Sequence, residues 1–284
     1  MTNLKQRTVT GAVFGAVMIG AILFSPVSFF ILFFIITLLS VLEFYRLIRT
    51  DEIKPQVITG TIISLLIFLY VSYSGQQFLT PDFATSLDIA FKTPFAIILL
   101  LLLIFIFELF RNTQKPFLNI AVTITGVIYI SLPISLFTII AYDSAGELNY
   151  HPYIILGYFI LLWTSDTFAY LVGSKCGKHK LFERISPKKT WEGCIGGGIA
   201  ALLAAFIISK YYTELPFIDW MIIAVIIVVT GTFGDLTESM LKRSLNIKDS
   251  GSIMPGHGGI LDRFDGLLGS APFVFCYLYF IDRM

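Results

Sequence analysis

Nine apolar runs, most of them close to the length that crosses a bilayer, constrain this chain more than any other feature. They cover roughly residues 8–24, 28–48, 56–74, 94–110, 117–142, 152–173, 191–209, 219–240 and 266–281. A membrane helix needs about 20 mainly apolar residues. Composition agrees, since 56% of the 284 residues are hydrophobic and only 14% are charged, with a mean hydropathy of +0.82. Soluble domains hold roughly 45–50% apolar residues, and an excess of this size cannot be hidden in one soluble core. The expected fold is all-α: a polytopic integral membrane protein of about nine transmembrane helices.

Lys5 and Arg7 precede the first run as they would in a signal peptide, but no small-x-small cleavage site follows and a second run begins after Pro26. The first run is therefore expected to be retained. The net charge of +1 supplies no global field toward nucleic acid. Cys176, Cys194 and Cys276 have no close pair spacing, which argues against a disulfide framework or a zinc site.

Lys and Arg set the orientation. With the N-terminus in the cytoplasm and nine alternating spans, all of the 20 Lys and Arg except Lys92, Lys210 and Arg283 fall on the inner side. A miscounted span would scramble that bias. Both polar loops of the second half then face the cytoplasm, where nucleotides are. Residues 1–150 read as a five-helix region of Leu, Ile and Phe spans. Residues 151–284 carry nearly all the intramembrane polar groups and form the expected catalytic region of one continuous membrane domain. The loops 74–93 and 143–150 read as solvated connections. Pro133 removes a backbone donor from the fifth run and is expected to kink it.

Four constellations in the second half could carry chemistry. In the first, Trp163, Asp166, Thr167 and Tyr170 share one helical face. Asp166 lies roughly 10 Å deep at 1.5 Å per residue. An ionised carboxylate there costs about 2.5–3.5 kcal/mol, so it needs a wet cavity, a cation or a donor. Neighbouring Thr and Tyr hydroxyls are the plainer partners.

The second is the basic loop from Lys175 to Glu192, closed by Ile185-Ser-Pro-Lys-Lys-Thr-Trp-Glu-Gly193. Pro187 suits the first turn of a helix with Ser186 as its cap, and a helix N-terminus beside lysines attracts phosphate. The same cations also serve as topology signals. Gly196, Gly197 and Gly198 then permit close helix contact.

In the third, Asp235, Glu238, Ser239 and Lys242 form one polar stripe where the eighth run ends. Asp235 is the better ligand candidate, whereas Glu238 suits a ligand or an i,i+4 partner of Lys242 equally.

The fourth is Pro255-Gly-His-Gly-Gly-Ile-Leu-Asp-Arg-Phe-Asp265. Its glycines suit a phosphate nest. Asp262 and Asp265 point the same way if a helix starts near Asp262. Mg²⁺ favours one or two carboxylates plus waters and substrate phosphates.

The segment 239–265 resembles the signature of the phosphatidate cytidylyltransferases, also called CDP-diacylglycerol synthases. The residues that carry the resemblance are Ser239, Lys242-Arg243, Lys248-Asp249, Gly251, Pro255, His257-Gly-Gly259, Asp262-Arg263 and Asp265. Met254 stands where Ile or Leu is expected. Asp166-Thr167 with Ala169-Tyr170, and Ser186 to Gly193, are similar to other recurrent segments of that family. The match covers about residues 152–270.

The resemblance implies that CTP and phosphatidate become CDP-diacylglycerol and pyrophosphate with Mg²⁺, in phospholipid biosynthesis at the inner (plasma) membrane. It further implies a homodimer, a metal centre at Asp235 and Asp262, and a second cation nearby, with K⁺ the candidate and Asp166 its ligand. The lipid nucleophile is a phosphate monoester with a second pKa of about 6, so no strong general base is needed. The expected catalytic residues are Asp235, Asp262, Asp265, Lys242, Arg263 and His257, with His257 as a hydrogen-bond donor to phosphate. Substrate binding is expected from Ser186, Lys188, Lys189, Thr190, Arg243, Lys248, Gly258 and Gly259.

Two other classes compete. A transporter would suit intramembrane Asp166 and Asp235, but the polar groups concentrate at one membrane face and no inverted half is visible. A CDP-archaeol synthase or a polyprenol kinase would also use CTP on a lipid. A CDP-alcohol phosphotransferase is disfavoured, because its Asp-Gly-x-x-Ala-Arg pattern is absent.

Overall fold

Each apolar run is helical in the computed structural model, which describes residues 2–78, 83–143, 149–251 and 258–281. The helices are α1 (Thr2–Phe24), α2 (Pro26–Ile48), α3 (Val57–Phe78), α4 (Phe83–Leu109), α5 (Pro116–Gly126), α6 (Leu132–Ile139), α7 (Pro152–Cys176), α8 (Trp191–Tyr211), α9 (Phe217–Ser244) and α10 (Leu261–Phe280). A π-helical stretch, Val127–Ser131, joins α5 to α6. Among the described residues, two antiparallel strand pairs also occur: β1 (Tyr142–Asp143) with β2 (Asn149–Tyr150), and β3 (Lys180–Phe182) with β4 (Ser186–Thr190), the latter a hairpin.

Among the described residues, seven helical stretches are long and apolar enough to cross a membrane. They are Pro26–Ile48, Val57–Gly75, Lys92–Leu109, Pro116–Ile139, Pro152–Cys176, Trp191–Tyr211 and Phe217–Ser244. The chain is thus a polytopic, all-helical membrane protein. Two of the nine expected spans are not in this set. The described apolar part of α1, Thr8–Phe24, is shorter, and α10 opens with Asp262, Arg263 and Asp265.

Two local expectations are corrected, and the surroundings of Pro133 are defined. The connection expected over 74–93 is mostly helix, because α3 runs to Phe78 and α4 starts at Phe83. Pro133 follows a change of helical register. The π-helical stretch ends at Ser131, and Pro133 sits in the first turn of α6, where a missing donor costs least. Ser186 and Pro187 do not start a helix. They open β4, whose Ser186 pairs with Phe182 and Thr190 with Lys180. The cap of α8 is Thr190, whose hydroxyl accepts from Gly193 N at 3.2 Å.

The chain divides into two compact units. One comprises Met1–Tyr150 with Asp249–Asp262, and the other His151–Lys248 with Arg263–Arg283. In the first, the rings of Phe29, Phe33 and Phe137 pack tilted against one another with centroids 4.9–6.4 Å apart. Buried Tyr45 donates to Thr123 O at 2.7 Å. Buried Glu108 accepts from Gln56, Arg111, Thr113 and Asn119, tying α4 and the turn after it to α5 and to the residue before α3.

In the second unit α7 packs on α8 through small residues. A Cβ on Gly197 would lie 2.6 Å from Ser165 O, and one on Gly193 would lie 3.1 Å from Gly173 Cα. Helix α10 is tied to α7 by Tyr158 and Ser270 at 2.5 Å and to α9 by Tyr277 and Asp219 at 2.9 Å.

Candidate active site

The site is built where α9 crosses α10. Gly234 on α9 and Gly269 on α10 touch: a Cβ on Gly269 would stand 2.6 Å from Gly234 Cα and from Thr230 O. Only glycine allows the backbones this close. The crossing brings together Asp235, one residue past Gly234, and Asp265, one turn before Gly269. Glu238 follows Asp235 by three residues and shares its face. One oxygen from each of Asp235, Glu238 and Asp265 lies within 4.8 Å of the others.

Cations balance this cluster. Lys189 Nζ, delivered by β4, lies 2.5 Å from Asp235 Oδ2 and 3.4 Å from Thr232 O. Lys242 pairs with buried Glu238 along α9. Ser239 Oγ is 3.3 Å from Asp235 Oδ1, and Gly266 N donates to Asp265 Oδ1 at 2.7 Å. Asp166, exposed on α7, is within electrostatic reach of Asp235 and Lys189.

The hairpin that carries Lys189 is itself anchored. Glu192 accepts from the backbone of Lys178 and His179 at 3.1 and 3.2 Å and pairs with the His179 ring at 2.6 Å. Exposed Arg243 bonds Ile185 O and Ile247 O, bracing the hairpin and the end of α9. That end is a Schellman turn. Asn246 takes φ 56°, with Ile247 N bonded to Lys242 O and Asn246 N to Arg243 O.

The first unit holds the rest of the signature. Asp262 Oδ2 accepts from Ser250 N at 2.9 Å and Gly259 N at 2.8 Å. Gly258 takes φ 86°, which favours glycine. Glu43 of α2, 4% exposed, reaches the same segment, bonding Ser250 Oγ, Ile260 N at 2.9 Å and Leu261 N at 3.1 Å.

Of the expected site residues, Asp235, Asp265, Lys189 and Lys242 are thus gathered with Glu238. Thr190 is buried as a helix cap, Ser186 is half-buried, and Lys188, Lys248 and Arg263 are exposed. His257 lies outside the described residues. Glu43 was not anticipated. Its signal was an ionisable residue at the end of a run with no other charge from Pro26 to Leu42.

A model of the cytidylyltransferase family matches residues 5–281. The chain belongs to the cytidylyltransferase family. Among its relatives, the phosphatidate cytidylyltransferase of Bacillus subtilis (strain 168) is 34% identical over 283 residues, 99% of this chain and 98% of the relative. That of Haemophilus influenzae (strain ATCC 51907 / DSM 11121 / KW20 / Rd) is 32% identical over 288 residues, 98% and 99% of the two chains. That of Staphylococcus aureus (strain COL) is 30% identical over 277 residues, 95% and 96%. A cytidylyltransferase handles a polyanionic nucleotide and generally uses Mg²⁺. Three carboxylates in mutual reach form an all-oxygen donor set of the kind this ion takes, so the residues fit it.

Proposed function

We infer that this chain is a CTP:phosphatidate cytidylyltransferase, a nucleotidyltransferase. The observation that carries this reading is similarity along nearly the whole chain to phosphatidate cytidylyltransferases. A lipid phosphate oxygen attacks the α-phosphorus of CTP, the bond from that phosphorus to the β-phosphate bridge breaks, and pyrophosphate leaves. CDP-diacylglycerol stays in the membrane.

The nucleophile is already ionised at neutral pH. The chain's task is therefore to bring two anions together and to balance charge, which a metal ion and cationic side chains do together. Lys189 and Lys242, already beside the acids, are the leading phosphate ligands. Exposed Lys188, Lys248 and Arg263 are candidates for the nucleotide tail and lipid headgroup. Asp235, Glu238 and Asp265 would hold Mg²⁺, with Asp262 offered as a further ligand by the resemblance. When bound, the ion supplies positive charge to the phosphoryl oxygens.

The finer features of the reading are proposals of the same kind. Nine spans with a cytoplasmic N-terminus are supported by the distribution of Lys and Arg. K⁺ at Asp166 rests on the resemblance. A homodimer and residence in the inner (plasma) membrane rest on the resemblance. The test is purified protein with CTP, phosphatidate and Mg²⁺. Pyrophosphate release that needs both substrates supports the reading, and release without phosphatidate rejects it.

A further inference from the structure

We propose that Glu43 is a positioning residue for nucleotidyl transfer, clamping Ser250, Ile260 and Leu261 to α2. This deepens the function above and rests on it.

The clamp is made by one carboxylate. Glu43 Oε1 accepts from Ser250 Oγ and Leu261 N, and Oε2 accepts from Ile260 N. The two glycines flanking it are small because the carboxylate sits against them. A Cβ on Gly251 would lie 2.9 Å from Glu43 Oε2, and one on Gly259 would collide with Glu43 Oε1 and Ser250 Oγ. Donors and clearance both match a carboxylate. A buried acid on a helix otherwise suited to lipid is costly, and here it is fully engaged with a distant segment.

Two consequences follow. First, Ile260 and Leu261 supply N–H groups at the start of α10, a place that attracts anions. Glu43 already occupies these two, so they are not offered to phosphate. Second, a fixed start to α10 fixes Asp262, whose own carboxylate bonds Ser250 N and Gly259 N. Asp265 lies one turn beyond Leu261 on the same helix.

The experiment compares wild type, Glu43→Gln and Tyr45→Phe as full-length protein in detergent. Tyr45→Phe removes another buried hydrogen bond on α2 and serves as the structural control. Glutamine keeps the size of Glu43 but turns a donor toward donors. For Glu43→Gln, kcat is expected to fall about tenfold or more, with KM for CTP within about threefold. Amide exchange over residues 258–264 should accelerate about tenfold in Glu43→Gln and stay unchanged in Tyr45→Phe. A kcat within about twofold of wild type overturns the proposal. So does a loss no greater than that of Tyr45→Phe at an equal drop in melting temperature. An inactive wild type would instead reject the transfer reading. In that event unchanged exchange in Glu43→Gln overturns the clamp, and accelerated exchange upholds it.

Discussion

Lys189 Nζ sits 2.5 Å from Asp235 Oδ2, so hairpin β3–β4 seats a cation on a carboxylate of the candidate metal cluster. Lys242 does the same for Glu238. A divalent ion held by Asp235 would compete with the ammonium group and would leave Lys189 available to phosphate, so that metal binding and phosphate binding would be coupled through one side chain.

Lys189→Met tests that coupling with two readouts of opposite sign. Removing the competing charge should tighten Mn²⁺ binding to nucleotide-free protein about two- to fivefold, the scale of a partly exposed ion pair. Turnover of CTP should fall, because a phosphate ligand is lost. Weaker Mn²⁺ binding, followed by paramagnetic resonance, would contradict the competition.

Asp235→Asn and Asp265→Asn should each lower kcat about 100-fold or more while the protein still inserts in membranes. Asp262→Asn separates two roles. Its amide oxygen can still accept from Ser250 N and Gly259 N, so a residue that only braces the loop should keep most activity. A residue that ligates metal should lose turnover and need more Mg²⁺ for half-maximal rate. Near-normal kinetics in purified Asp262→Asn would remove it from the metal set.

Gly269→Ala should separate α9 from α10, since its Cβ would lie 2.6 Å from Gly234 Cα. The expected cost is about 1–3 kcal/mol, read as a lower melting temperature, with activity lost as the acids move apart. Gly198→Ala is the control, because its Cβ meets Val228 Cγ1 at an ordinary 3.6 Å. Equal behaviour of the two variants would refute the close crossing as the reason for Gly269.

Orientation is testable by labelling. In a variant lacking Cys176, Cys194 and Cys276, a cysteine placed at position 180 should react with an impermeant thiol reagent from the cytoplasmic face alone. Reaction from the outer face would overturn the nine-span topology.

The helices were legible because lipid demands long apolar runs, and the acids were legible because charge is rare among them. Asp235, Glu238 and Lys242 fall on one face by spacing alone. What spacing could not give was pairing at a distance. Glu43 meets partners 207 to 218 residues later, and Gly234 meets Gly269 on another helix. The Ser186-Pro187 pair misled for a local reason. Serine before proline suits a helix start, but here the residues open a strand, and the cap falls four residues on at Thr190. The charge of Arg243 is visible in sequence, while the carbonyls of Ile185 and Ile247 that it also bonds are not.

The most direct test follows the α-phosphorus of CTP. Protein in detergent is given phosphatidate, Mg²⁺ and CTP labelled at either the α or the γ position. The expected result is α-label in the lipid fraction, one per pyrophosphate released, with γ-label appearing only in pyrophosphate. Label from the γ position in lipid, or no transfer of the α-label, would contradict cytidylyl transfer by this chain.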